Sequence, residues 1–88
     1  MTPAPEFLEK FDRLPTGGYG ATAFGARWRI TKTVMAGGRS QKLEAEELGG
    51  QRYVSFNLYR LHGGEALLKP CEMSVETVVE FMEEVVAD

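Results

Sequence analysis

Apolar positions along this chain recur with two different periods, and each change of period marks an element boundary. Phe7, Leu8, Phe11 and Leu14 fall at i, i+1, i+4 and i+7, the stripe of an amphipathic helix. Pro5 suits a first helical turn and Pro15 forbids continuation, so the spacing predicts a helix over 5–14. The stretch 16–25 holds Gly17, Gly18, Gly20 and Gly25 and reads as a Gly-rich loop. From Ala26 the period drops to two. Ala26–Met35 and Arg52–Leu61 are rich in β-branched and aromatic residues, the composition of strands.

Glycine pairs punctuate these runs: Gly37-Gly38, Gly49-Gly50 and Gly63-Gly64. Glycine supplies the positive φ that tight hairpins need. A two-residue turn centred on Gly37-Gly38 sets Ile30 opposite Ala45, Lys32 opposite Leu43 and Arg29 opposite Glu46. A second, centred on Gly49-Gly50, sets Leu43 opposite Phe56 and Ala45 opposite Val54. Both turns give one inner face of Trp28, Ile30, Val34, Leu43, Ala45, Val54, Phe56 and Leu58, which a one-residue slip would reverse. Lys32 is the exception on that face and is expected to reach out along the sheet edge. The third turn, His62–Glu65, leaves open which of Leu67 and Leu68 points inward. The antiparallel sheet is therefore expected over 26–73, as a four-stranded meander.

The period of 3.6 returns at the C-terminus. Ser74 is a candidate N-cap, with Met73 and Val78 in staple positions around it. Val75, Val78, Val79, Met82, Val85 and Val86 form one apolar stripe, with Glu76, Glu80, Glu83 and Glu84 on the opposite face. An acidic amphipathic helix is expected over 74–87. The order α-β-β-β-β-α, in one domain spanning 1–88, is an α+β architecture. Which face of the sheet the first helix covers is not readable from the pattern.

Charge adds an asymmetry. The 88 residues carry a net −3, yet residues 26–43 hold five bases and no acid, and residues 65–88 carry −6. Fields of this kind steer partners. The basic and acidic regions are otherwise expected to neutralise each other within the fold. No apolar run is long enough to span a membrane, and Met1–Glu6 lacks the basic and apolar regions of a secretory signal. The single cysteine, Cys71, forms no intrachain disulfide, and a cytoplasmic location is the expectation.

Chemistry-bearing patterns are sparse. Gly18-Tyr19-Gly20-Ala21-Thr22-Ala23 fits a loose G-x-G-x-x-A pattern, but a helix precedes it and a strand follows, the wrong context for a phosphate loop. Tyr19 and Phe24 within it either cap the core or face a partner. A thiol enzyme would need Cys71 beside His62 and a third group to orient the base. A turn histidine and a small buried thiol account for the two residues more simply. Glu44 and Glu46 share one strand face and Glu47 the other, without a histidine, a poor set for a metal. No catalytic, cofactor or metal site is expected.

Binding is better supported. The outer sheet face is expected to carry Arg27, Arg29, Thr31, Thr33, Lys42, Glu44, Glu46, Tyr53, Ser55, Asn57 and Tyr59. Arg27, Arg29, Tyr53 and Tyr59 are of the types enriched in protein interfaces. The same residues could stack and neutralise single-stranded nucleic acid, though Glu44 and Glu46 would repel phosphates. Glu76, Glu80, Glu83 and Glu84 form like-charge i,i+4 contacts that serve either solubility or a basic partner. The expectation is a non-enzymatic inhibitor or adaptor with a protein partner, nucleic acid being the alternative partner and the Cys71 thiol enzyme the second alternative. A homodimer is left open and a membrane is not. Small acidic domains of this class are often carried by phages or plasmids and directed at nucleic-acid-handling machinery, CRISPR complexes included. That is a prior of class, which no motif in the chain carries.

Overall fold

The computed structural model describes all 88 residues. Helix α1 spans Pro5–Arg13 and is followed by strands β1 Gly17–Ala23, β2 Ala26–Met35, β3 Ser40–Glu47, β4 Tyr53–Arg60 and β5 Ala66–Pro70. Helix α2, Val75–Glu84, and the short strand β6, Val86–Ala87, complete the chain. The strands form one antiparallel six-stranded sheet in the order β5-β4-β3-β2-β1-β6. The α+β class holds, and the four-stranded meander is corrected to six strands.

One added strand is the segment read as a Gly-rich loop. Over 17–23 it pairs with β2 from Gly17↔Lys32 to Ala23↔Ala26. Its alternation is real but muted, because its residues are small. Ala21 and Ala23 are buried and Tyr19 half-buried, while Gly18 and Thr22 on the other face are exposed. Glycine weakens a strand interior, and here ten-residue β2 supplies a long partner that outweighs that cost.

The second added strand comes from the end of the acidic helix, which stops at Glu84 rather than 87. Val85 is extended (φ −67°, ψ 134°) and buried, and Val86 is exposed rather than part of the apolar stripe. Continuing the helix would stack Asp88 on Glu84 at i,i+4. Unwinding instead carries Asp88 to Arg27 (2.5 and 2.8 Å) and pairs Val86 with Thr22. Ser74 does cap α2, its Oγ accepting from the Thr77 N–H at 3.1 Å.

The predicted registers are those observed. Ile30 faces Ala45, Leu43 faces Phe56 and Ala45 faces Val54. The loop after β3 is wider than a two-residue turn, since its last backbone bond runs from Glu47 N–H to Arg52 O. The third turn has three central residues, His62, Gly63 and Gly64, closed by Leu61 N–H to Glu65 O. That odd count places Leu68 opposite Leu58 in the core and leaves Leu67 half-buried on the other face.

Both helices cover the same face. Phe7 and Phe11 of α1 pack on Phe56 with ring centroids 5.6 and 5.8 Å apart, and Phe81 of α2 packs on Trp28 at 4.9 Å. The Trp28 Nε1 donates to Ala23 O, so the largest core side chain is also satisfied. Lys32 does not reach out along the edge. It is 4% exposed, and its Nζ donates to the carbonyls of Phe11 (2.7 Å) and Leu14 (2.9 Å) while lying over the Phe11 ring. A cation at the C-terminal end of α1 meets orphan carbonyls and the negative pole of the helix. Burial lowers the Lys32 pKa, Asp12 opposing that shift and Arg60 adding to it.

Candidate functional site

With both helices on one side, the other face of the sheet is uncovered. Each expected outer residue lies there. Across the strands, Gly20, Arg29, Glu46 and Tyr53 form one row, and Gly18, Thr31, Glu44 and Ser55 the next. A third row runs through Thr33, Lys42, Asn57 and Lys69. Arg29, Lys42, Glu44, Glu46 and Lys69 form no ion pair within the chain, although Arg29 sits directly opposite Glu46. Tyr53 is half exposed, whereas Tyr59 is more covered, facing half-buried Leu67.

Arg27 is on this face but is not free. Its guanidinium holds Asp88 through two hydrogen bonds and Thr22 Oγ1 through a third, and lies across Gly20. The hydrogen bond from Arg27 holds the Asp88 carboxyl below the usual carboxylate range. One basic residue of the 26–43 stretch is thus neutralised by the acidic end, and Lys32 is withdrawn into the interior.

The acidic residues do not join this surface. Glu76, Glu80, Glu83 and Glu84 are all exposed, on a helix packed against the opposite side of the sheet. Near their C-terminal end, Lys10 of α1 donates to Glu83 O at 2.9 Å, supplying the cation that the last turn of α2 lacks. Burial, the largest cause, lowers the Lys10 pKa, and Glu84 counteracts it.

The two surfaces meet at one end of the sheet, in a cleft of about 530 Å³ lined by Phe24, Trp28, Arg52, Tyr53, Thr77 and Glu80 among others. Phe24 and Gly25 form the two-residue turn between β1 and β2, with φ +52° and +70°. A bulky residue in the left-handed region is strained, and Phe24 is nevertheless 40% exposed. The Arg52 guanidinium sits 5.4 Å from the Phe24 ring centroid and 5.5 Å from that of Trp28, and is held by Glu47 at 2.7 Å. Leu48, in the neighbouring loop, is also exposed. The sequence left open whether Phe24 caps the core or faces a partner, and its side chain is exposed at this rim. Arg52 carried no signal, because its proximity to Phe24 needs β1 to be a strand.

Cys71 and His62 are not brought together. The Cys71 N–H bonds Ser55 O beyond one end of the β4–β5 hairpin, and His62 is in the turn at the other. At about 3.3 Å per residue they are more than about 20 Å apart. The Cys71 Sγ instead accepts from Asn57 Nδ2 at 3.4 Å. No group of three or more His, Cys, Asp or Glu is clustered as metal ligands would be, and no helix is long and apolar enough to cross a membrane. No protein-family model, curated protein or solved structure matches the chain.

Proposed function

We propose that this chain is a non-enzymatic binding protein, an inhibitor or adaptor, that docks a protein partner on the uncovered sheet face. The observation that supports it is the set of unpaired charges of both signs, Arg29, Lys42, Glu44, Glu46 and Lys69, on a face that no helix covers and that ends at exposed Tyr53. Mixed charge fixes register and excludes wrong partners, and a tyrosine supplies contact area at low entropic cost. Phe24 and Leu48 extend the apolar part of the surface past its rim. A phosphate track is the weaker reading, since Glu44 and Glu46 interrupt the bases and Arg27 is already paired with Asp88.

Tagged protein incubated with host lysate, with and without nuclease, tests this. A protein partner that survives nuclease should be retained by Arg39→Ala, in the turn between β2 and β3. It should be lost by Tyr53→Ala or Arg29→Ala, at about 2 kcal/mol for a dominant side chain. Capture that disappears with nuclease, and that weakens evenly for each base removed, would replace this reading with single-stranded nucleic acid.

A further inference from the structure

Phe24 is held in a conformation its backbone disfavours, and its ring gains little burial in return. The residue sits at φ +52° and is 40% exposed. Strain of this kind gathers where a chain meets a ligand. The ring walls the cleft at the rim of the sheet, which half-exposed Tyr53 of β4 and Thr77 and Glu80 of α2 also line.

The cleft already displays one kind of recognition. The Arg52 guanidinium lies 5.4 Å from the Phe24 ring centroid and 5.5 Å from that of Trp28, with the Glu47 carboxylate at its edge. A planar cation is held there by aromatic faces and a carboxylate together. The same two ingredients stand unused alongside. No cation lies over the Tyr53 ring, and Glu80 forms no ion pair.

The charge left over at the cleft is negative. Arg52 and Glu47 neutralise each other, whereas Glu80, Glu76 one turn earlier on α2, and Glu46 opposite Tyr53 are all unpaired. Glu76 and Glu80 repel each other across that turn. Arg29, also unpaired, stands on the far side of Glu46 from Tyr53. An incoming cation therefore meets a free aromatic face and free carboxylates, while an acidic segment or a phosphate backbone meets repulsion.

We infer that the cleft takes an arginine from a basic segment of a partner protein, with its guanidinium on the Tyr53 ring and paired with Glu80, and an apolar neighbour of that arginine on Phe24. Arginine suits the site better than lysine because its planar group stacks and pairs at once. The strained turn then has a use. It holds an apolar ring out at the rim, where an asparagine would be relaxed and offer no such contact. The inference rests on the reading of this chain as a protein-binding domain, but not on the flat sheet face.

The probe is a blocked tripeptide, Leu-Arg-Leu, titrated to millimolar concentration against the whole protein and followed by amide NMR, with Leu-Gln-Leu alongside. The Arg peptide should shift the amides of Gly25, Tyr53 and Thr77 and leave Gly63, in the turn at the other end of β4, unmoved. Glu80→Gln should weaken it by about twofold to fivefold, whereas Glu65→Gln, the same change of charge in that distant turn, should not. Phe24→Asn should weaken it by about threefold or more in a protein that is at least as stable, which separates a lost contact from a lost fold. Equal shifts with Leu-Gln-Leu, no response of the cleft amides at millimolar Arg peptide, or binding indifferent to Glu80→Gln or Phe24→Asn would each overturn the inference. So would shifts that grow with protein concentration alone, which would identify the occupant as a second copy. None of these results touches capture of a partner from lysate, and capture lost to nuclease overturns the broader reading without altering the peptide titration.

Discussion

Phe24 is where the chain departs furthest from what its local sequence favours. A two-residue hairpin with positive φ at both positions prefers Asn-Gly, and this turn is Phe-Gly. The strain of an aromatic in that conformation, about 1–2 kcal/mol, exceeds what its exposed cation–π contact with Arg52 returns, about 0.5–1 kcal/mol. Phe24→Asn should therefore raise stability by about 0.5–1 kcal/mol, read as a higher denaturant midpoint at unchanged slope. A lower midpoint would mean that Arg52 stacking outweighs the strain. Residues such as this explain where sequence reading stops. Arg29, Leu43 and Phe56 were placed correctly because period and turn fix them. Lys32 was not, because its position on the inner face was legible but its partner, the end of α1, becomes a neighbour only once the helix lies on that face.

At the scale of elements, the strong signals were the two amphipathic stripes and the glycine pairs, and the elements they define are observed, with α2 ending at Glu84 rather than at 87. The two strands that went unread, β1 and β6, share a cause: neither has enough large side chains to show alternation, and each is held by a neighbouring strand, β1 by β2 and β6 by β1. The Arg27–Asp88 pair adds to the backbone pairing that holds β6, which makes the strand sensitive to acid. The Asp88 carboxyl is held below its ordinary pKa by the Arg27 hydrogen bond. A carboxyl whose pKa is depressed on folding contributes stability above its unfolded value, about 3.9. That contribution disappears as pH falls through the folded value. Amide protection at Val86 and Asp88 should therefore hold at about pH 5 and fall as pH drops below about 4, ahead of protection in β3. In Asp88→Asn it should be low throughout. Protection of β6 that outlasts that of β3 in acid would refute the dependence.

For the whole molecule, the layout separates two surfaces that the sequence offered together. The charged sheet face and the acidic helix look in opposite directions, meeting only at the cleft beside Phe24, so a partner lying flat on one does not touch the other. The same layout orders events in time. Five strands follow one another through hairpins, contacts that close early because little chain must be looped. The Arg27–Asp88 clasp joins residues 61 positions apart, and it needs both β1 and α2 to be in place first. It therefore belongs to the end of folding and to the beginning of unfolding. Asp88→Ala should speed unfolding by about twofold to fivefold and leave the refolding rate unchanged, the signature of a contact absent from the transition state. Slower refolding in stopped-flow would place the clasp earlier. While the clasp is open β6 can leave the sheet, so the backbone of Gly20–Thr22 that it pairs with is briefly exposed to water.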